Sequence, residues 1–222
     1  MIEVLILSLI QGVTEFIPVS SSSHLILISH LLKFDEQSLA IDVSLHIGSF
    51  LAILFYFRKE IINFYQNKEL FIKIFLSSIP VLIVGFLLVQ TSLIDKIRNI
   101  EVIAWTTIIF GILLFVSDKF KLKNEVYKDF TLKSALIIGM FQVLSLVPGV
   151  SRSGITITAA RILNFKRLDS AKISFLLSIP SLGAVSLFGL KNIISSPNLE
   201  FSILNFISIF LSFLFSFITI KY

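Results

Sequence analysis

Five apolar runs, each about as long as a membrane-spanning helix, constrain the fold more than any other feature of this sequence. They cover roughly residues 39–57, 70–90, 100–117, 170–189 and 201–220. About 20 apolar residues suffice for one helical crossing of a bilayer. The chain has 222 residues, 55% of them hydrophobic, and no polar stretch long enough for a separate soluble domain. The sequence therefore predicts an all-α integral membrane protein, with residues 1–222 forming a single membrane domain.

Two further apolar segments are interrupted by polar turns, and neither half of each is long enough to cross a bilayer. Residues 2–32 break at "PVSSSSH", and residues 132–164 break at "PGVSRSG". At membrane depth, backbone can leave the helix only where protein or a water-filled cavity satisfies the hydrogen bonds of its N–H and C=O groups. Each segment is therefore interpreted as a re-entrant helical hairpin. In the first hairpin, Pro18 is expected to end one half-helix, Ser20 to Ser23 to form the turn, and His24 to begin the second half-helix.

The two hairpins resemble each other, which predicts an internal repeat. Pro18 and Pro148 align at an offset of 130 residues, and Ser21, Ser22 and Ser23 then fall on residues 151–153. The predicted repeats cover 1–118 and 131–222. Three crossings follow the first hairpin and two follow the second, so the second repeat is expected to lack its last helix.

Basic residues predict the orientation of the chain in the membrane. If each crossing switches sides, one side holds Lys33, Lys96, Arg98 and Lys191. The other side holds Arg58, Lys59, Lys68, Lys73, Lys119, Lys121, Lys123, Lys128, Lys133, Lys166, Arg167, Lys172 and Lys221. Because basic loops stay in the cytoplasm, the sequence predicts an N-terminus outside, a C-terminus inside, and an inverted repeat. Such topology also explains the net charge of +5, so no nucleic-acid partner is predicted.

The polar turns carry a candidate site for a phosphate ester. Gln11 and Glu15 are four residues apart and share one helical face. The start of each second half-helix offers backbone N–H groups that suit an anion. Arg152 suits bidentate phosphate binding. It stands between two serines and two glycines, namely Ser151, Ser153, Gly149 and Gly154.

Structural explanations compete with these functional ones. The serines alone can serve to satisfy backbone groups freed at a helix break. Glu15 and Arg152 can form a mutual ion pair, although a lone ion at the bilayer centre costs about 2.5–3.5 kcal/mol and is usually functional. Asp42 and His46 share a helical face and fit either a supporting role or the core. Arg161, near a segment end, is predicted to extend its charge to the membrane surface.

At these residues the sequence resembles the undecaprenyl-diphosphate phosphatase family, also called the bacitracin-resistance protein family. The first motif, a Glu/Gln-x-x-x-Glu pair followed by a Pro-x-Ser-Ser-x-x-His turn, reads Gln11, Glu15, Pro18, Ser20, Ser21 and His24. The second motif reads "PGVSRSG" over 148–154, with Thr156 just after it. "DVSLHIGSFLAI" and "SFLLSIP" are supporting matches. The resemblance runs from about residue 5 to the end.

The resemblance implies an enzyme that removes the terminal phosphate from a C55 polyprenyl diphosphate and so recycles the lipid carrier for cell-wall synthesis. It implies a bacterial plasma membrane location, an outward-facing site and a requirement for a divalent cation, Mg²⁺ or Ca²⁺. Catalytic roles are expected for Glu15, Ser21, His24 and Arg152, with Glu15 and Gln11 as metal ligands. Substrate contacts are expected from Ser20, Ser151, Ser153, Gly149, Gly154 and Thr156. Gln11 stands where the family often has Glu, which predicts a weaker metal ligand, and a homo-oligomer is an open alternative to a monomer.

Several alternatives remain at this point. Inverted repeats with broken helices are also transporter architecture, so a polyprenyl-phosphate flippase is the main rival. The other class of lipid phosphatase needs a second histidine far downstream, and no histidine follows His46. Within the hydrolase hypothesis we expect Ser21 as nucleophile, His24 as general base and acid, and Glu15 as metal ligand or orienter. A phosphohistidine at His24 and an activated water are the other two versions.

Overall fold

The computed structural model describes residues 1–34, 38–63, 65–91, 99–195 and 202–222. Within these ranges every regular element is helical, which confirms the all-α prediction. The helices are α1 (Ile2–Thr14), α2 (Ser21–Leu32), α3 (Leu39–Tyr56), α4 (Arg58–Ile62), α5 (Lys68–Thr91), α6 (Ile100–Ser117), α7 (Val126–Asp129), α8 (Leu132–Val143), α9 (Arg152–Ile162), α10 (Arg167–Ser195) and α11 (Ile203–Lys221). A short 3₁₀ turn, Leu144–Leu146, follows α8.

The five predicted crossings are confirmed. Among the described residues, α3, α5, α6, α10 and α11 are long and apolar enough to span a membrane. The longest, α10, has 29 residues. It extends beyond the predicted 170–189 because an apolar count stops at charged side chains, here Arg167 and Asp169 in the first turn and Lys191 near the other end. Position 201, the predicted start of the last crossing, lies outside the described residues, as do Lys96 and Arg98 of the charge comparison.

Pairs of short helices occupy both predicted hairpins, α1 with α2 and α8 with α9. The break in the first hairpin was predicted too late in the chain. α1 already ends at Thr14, residues 15–19 form the turn, and α2 begins at Ser21 rather than at His24. Proline disfavours the α conformation of the residue before it, so Pro18 moves the break upstream, and the serines then occupy the first helical turn. The inverted arrangement of the two repeats remains a prediction.

The chain divides into two compact units. The first unit comprises 1–17, 21–61 and 178–222, and the second comprises 18–20 and 62–177. In the first unit, α11 packs against α1 and α3, and α1 also contacts α2. Its apolar core contains Val4, Leu7, Leu25, Ile41 and Leu45.

Glycine and serine bring α11 very close to its neighbours in the first unit. A Cβ at Gly48 would lie 2.7 Å from the Ser212 Cβ, and one at Gly12 would lie 2.8 Å from the backbone nitrogen of Ser216. Small residues allow such contacts between membrane helices, where packing and interhelical hydrogen bonds drive association.

In the second unit, α8 packs against α5, and α9 packs against α6 and α8. The turn before α9 is anchored on α6, since Thr106 Oγ1 donates to the carbonyl of Pro148 at 2.7 Å. Gly149 has a φ of +91° in this turn and lies against the backbone of Ile103. A side chain would be strained there and would also collide with α6, so glycine is required at this position.

A buried arginine joins the ends of two helices in the second unit. Arg161 is 1% exposed. Its guanidinium donates to the Asp118 carboxylate at 3.2 Å and to the carbonyls of Phe165 and Phe120 at 2.5 and 3.1 Å. The prediction that Arg161 extends to the membrane surface is therefore wrong, because helix-end carbonyls bind its charge inside the protein.

The connecting loops of the second unit carry a small network of charges. A hydrogen bond from Arg167, together with the charges of Arg167 and Arg161, lowers the pKa of Asp118, although burial opposes the shift. Hydrogen bonds from Lys128 and Lys166 lower the pKa of Glu125 to about 2. Both carboxylates are thus ionised at neutral pH and bind the segment 118–131 to the start of α10.

Candidate functional site

The first group of predicted site residues meets at the end of α1, in the first unit. Glu15 is the C-cap of α1 and is 7% exposed. Its Oε2 accepts a hydrogen bond from Gln11 Nε2 at 3.0 Å and another from Ser21 Oγ at 2.7 Å. The i, i+4 spacing predicted the first contact, and the chain reversal between α1 and α2 supplies the second. The Ser21 hydroxyl therefore directs its proton to the Glu15 carboxylate.

Gln11 is fully buried and uses only its nitrogen for hydrogen bonds within the described part of the chain. Nε2 also donates to Ser49 Oγ at 3.4 Å, whereas Oε1 is buried without a hydrogen-bond partner there. Buried polar atoms are nearly always paired, and this oxygen is one of a few described side-chain atoms that are not. His24 lies one turn beyond Ser21 on α2, and its side chain is exposed.

The second group of predicted residues surrounds the start of α9, in the second unit. Ser151 is the N-cap of α9 and accepts a hydrogen bond from the backbone N–H of Gly154 at 3.1 Å. Its hydroxyl lies 3.0 Å from that of Ser153. Arg152 is the first residue of the helix and is half-buried. This is the helix N-terminus with adjacent hydroxyls and guanidinium that the "PGVSRSG" motif predicted.

Gly154 lies close to Pro18 within the second unit. A Cβ there would be 3.4 Å from the carbonyl oxygen of Pro18 and 3.1 Å from the Ser151 Cβ. Pro18 and Ser20 belong to the same compact unit as α9, and Ser20 is buried. Gly154 thus permits close approach of backbone to the start of α9.

Thr156 was predicted to contact substrate, but its hydroxyl connects two helices in this structure. It is fully buried, and its Oγ1 lies 2.8 Å from Ser174 Oγ of α10 and 2.9 Å from the carbonyl of Arg152. A contact with the carbonyl of Arg152 supports the first turn of α9. Direct binding of substrate by Thr156 remains a prediction.

Sequence reasoning did not predict that Ser49, Ser212 and Ser216 lie in one group of hydrogen bonds next to Gln11. Ser49 lies within the "DVSLHIGSFLAI" match but was given no role. The signal on α11 is a serine every four residues in an apolar helix, at Ser208, Ser212 and Ser216, all fully buried. This spacing places them on one face.

Comparison with known proteins gives a consistent picture. The chain matches the family described as bacitracin resistance protein BacA over residues 4–222. It is 49% identical over 222 residues to a protein of Pelagibacter ubique named undecaprenyl-diphosphatase, covering 100% of this chain and 86% of the relative. A protein of that name from Hahella chejuensis is 44% identical, covering 84% of this chain and 74% of the relative. One from Campylobacter curvus is 45% identical, covering 81% and 72%.

Proposed function

Because the chain belongs to the bacitracin resistance protein BacA family, we propose that it hydrolyses undecaprenyl diphosphate to undecaprenyl phosphate and inorganic phosphate. The observation that carries this proposal is the hydrogen bond from the Ser21 hydroxyl to the buried Glu15 carboxylate, at 2.7 Å. Its residues are those that the family motif places in the site. The activity returns a lipid carrier to cell-wall synthesis. The names of the relatives do not favour the flippase alternative.

In the proposed reaction, Ser21 Oγ attacks the terminal phosphorus of the diphosphate. The bond from this phosphorus to the bridging oxygen breaks, undecaprenyl phosphate leaves, and a phosphoserine forms. Ser21 already donates a hydrogen bond to Glu15 Oε2, so in this proposal Glu15 takes the proton that Ser21 loses, in place of His24, the base expected from the sequence. The exposed His24 imidazole supplies the second proton transfer, when water attacks the phosphoserine and phosphate departs. A phosphohistidine at His24 and direct attack by water remain the competing versions.

Arg152 is proposed to bind the diphosphate. Its position at the start of α9 adds the guanidinium to the N–H groups and the positive end of the helix dipole. The planar fork of Arg forms two parallel hydrogen bonds to phosphate oxygens, which neutralises charge that repels a nucleophile. The hydroxyls of Ser151 and Ser153, joined by their own hydrogen bond, are proposed as further donors.

A divalent cation, Mg²⁺ or Ca²⁺, is proposed to bind at Glu15 and Gln11. Among the described residues no group of three His, Cys, Asp or Glu side chains is arranged to hold a metal ion. One carboxylate and the unpaired Gln11 Oε1 are oxygen ligands that these ions accept. This small donor set fits Mg²⁺, which commonly takes one or two protein ligands and completes its shell with water and substrate phosphate. A bound cation would neutralise phosphate charge.

The location is proposed as the bacterial plasma membrane, with the N-terminus outside and the C-terminus in the cytoplasm. The support is the uneven distribution of Lys and Arg between the two sides predicted from the sequence.

Phosphate release by purified protein in detergent, with undecaprenyl diphosphate and Mg²⁺, tests the proposed function. The wild-type protein is expected to release one phosphate per lipid, whereas Glu15→Gln and Ser21→Ala are expected to be inactive. Arg58→Ala is the control, because Arg58 is exposed and, among the described residues, its side chain contacts the carbonyl and the ring of Phe55, away from Glu15 and Ser21. A folded wild-type protein that releases no phosphate contradicts the hydrolase assignment.

Rapid acid quench with substrate labelled in the terminal phosphate separates the three versions of the reaction. A phosphoserine survives acid, a phosphohistidine is lost in acid, and direct attack by water leaves no labelled protein. An acid-stable adduct in the wild type that is absent from Ser21→Ala is the expected result.

A further inference from the structure

A buried network of hydroxyl groups connects Gln11 to the last helix of the chain. Ser49 of α3 accepts the second hydrogen bond of Gln11 Nε2. Its Oγ lies 2.9 Å from Ser216 Oγ and 3.2 Å from Ser212 Oγ, both on α11. All four side chains are fully buried and belong to the first unit.

The number of available protons fixes the direction of these hydrogen bonds. Ser212 donates its single hydroxyl proton to the carbonyl of Leu45 at 2.6 Å, so it can only accept from Ser49. In the hydrogen bond with Ser212, Ser49 must therefore be the donor. A hydroxyl has one proton and two lone pairs, so Ser49 accepts from both Ser216 and Gln11.

This direction determines how the Gln11 carboxamide is turned. Ser49 has no proton left to donate to Gln11 Oε1, and the Glu15 carboxylate can only accept a hydrogen bond. If the Gln11 amide were rotated by 180°, Oε1 would face these two acceptors without a hydrogen bond. The network therefore keeps Nε2 on Ser49 and Glu15, and Oε1 is left buried and without a partner among the described residues.

We propose that Ser49, supported by Ser212 and Ser216, is a positioning residue that directs Gln11 Oε1 to a divalent cation. The inference deepens the proposed function, on which it rests, by assigning a role to three serines that lie outside the two site motifs around Glu15 and Arg152. Ser49 itself does not touch the substrate. Without it, the amide can rotate, and the oxygen ligand is no longer held in place.

Two variants and one matched control test this role. Ser49→Ala removes the hydroxyl that binds Gln11, and Ser212→Ala removes the acceptor that uses up the Ser49 proton. Ser44→Ala is the control. Ser44 is also fully buried on α3 and also binds α11, accepting from Asn205 Nδ2 at 3.1 Å, but it has no hydrogen bond to Gln11.

Two quantities are measured for each purified protein. The first is the Mg²⁺ concentration that gives half-maximal phosphate release, with kcat at saturating Mg²⁺. The second is the rise in Tm caused by Mg²⁺ with methylenediphosphonate, a diphosphate analogue that cannot be hydrolysed.

For Ser49→Ala and Ser212→Ala the half-maximal Mg²⁺ concentration is expected to rise about 2- to 10-fold, the equivalent of one neutral hydrogen bond. Their kcat at saturating Mg²⁺ is expected to stay near that of the wild type, and their ligand-induced rise in Tm is expected to be smaller. Ser44→Ala should match the wild type in both quantities, even though its Tm without ligand falls.

The inference is overturned if Ser49→Ala and Ser212→Ala both behave like Ser44→Ala, or if the Tm of the wild type does not respond to the two ligands. If Ser49→Ala fails to fold, Ser212→Ala decides alone. A wild type that releases no phosphate would instead contradict the proposed function. In that case the comparison of Tm shifts still decides whether Ser49 positions Gln11.

Discussion

At the scale of single residues, the site depends on one carboxylate oxygen. Glu15 Oε2 accepts from both Gln11 and Ser21, which come from opposite arms of the first hairpin. A carboxylate that is 7% exposed and holds two donors is restricted in position before any substrate arrives. Preorganisation of this kind favours a reaction in which charge must be placed accurately against phosphorus.

Arg152→Lys should retain charge but lose activity. Removing a charged hydrogen bond to phosphate costs about 1.5–3 kcal/mol, or about 10- to 150-fold in kcat/KM. Lys cannot reproduce the two parallel hydrogen bonds of Arg. Steady-state phosphate release measures the loss, with Arg152→Ala as the more severe variant. Wild-type kcat/KM in either folded variant would show that Arg152 does not bind the diphosphate.

Gln11→Glu should strengthen the response to the divalent cation. A second carboxylate is a better ligand for Mg²⁺ than a neutral amide oxygen. In the absence of cation, two adjacent carboxylates repel each other, so Tm should fall below that of the wild type. Thermal unfolding with and without Mg²⁺, together with Mg²⁺ activation curves, checks both effects. An unchanged or weaker activation by Mg²⁺ would argue against Gln11 as a ligand.

The sequence was most informative about charged and amide side chains, which are rare in membrane-spanning segments. Glu15, Gln11 and Arg152 stood out because charged and amide groups are costly in lipid. Ser49, Ser212 and Ser216 were missed because a serine in a membrane helix can equally well bond its own backbone, as Ser208 does with Leu204. Only the contact between α3 and α11 distinguishes the two uses, and a single sequence does not state which helices are neighbours.

At the scale of helices, close packing of α11 depends on glycine. Gly48→Ala should lower stability by about 1–3 kcal/mol, since the added methyl group collides with Ser212 and with the backbone of α11. Gly111→Ala is a matched control on α6, where nothing lies within 4 Å of the new methyl group. That change should be neutral or stabilise by about 0.5–1 kcal/mol through the loss of backbone freedom. Thermal unfolding in detergent measures both, and equal Tm values would contradict the packing described.

The contacts of Arg161 also belong to this scale. Arg161→Met should destabilise the protein by about 2–5 kcal/mol, because the carbonyls that accept from the buried guanidinium lose their donor. Arg167→Ala should cost only about 0–1 kcal/mol, although Arg167 bonds the same Asp118, because its side chain is 68% exposed. Chemical unfolding of the two variants gives the comparison. Similar losses for both would mean that burial of Arg161 contributes little.

Hydrophobicity predicted the presence of the helices more reliably than the residues at which they begin and end. All five crossings were found because a long apolar run has few alternatives. The start of α2 was placed three residues too late, at His24 instead of Ser21, because serine is compatible with both a turn and the first turn of a helix. The burial of Arg161 was missed for a related reason, since its partners are backbone carbonyls that carry no signature in the sequence.

At the scale of the whole molecule, the orientation in the membrane can be tested with single cysteines, because the chain has none. With the N-terminus outside, a cysteine at Asn99 should react with a membrane-impermeant thiol reagent in intact cells. A cysteine at Asn124 should be protected until the cells are opened. The expectation follows from the side of the membrane on which most basic residues lie. The reverse labelling pattern would invert the proposed orientation.

The contact of α11 with α1 and α3 has a consequence for biosynthesis. The ribosome completes α3 at Tyr56, long before it reaches Ile203, where α11 begins. During that interval Gln11 and Ser49 are already in the nascent chain, but Ser212 and Ser216, which contact Ser49, have not been translated. The first hairpin is therefore synthesised early, and its packing against α11 can form only after α11 has been synthesised.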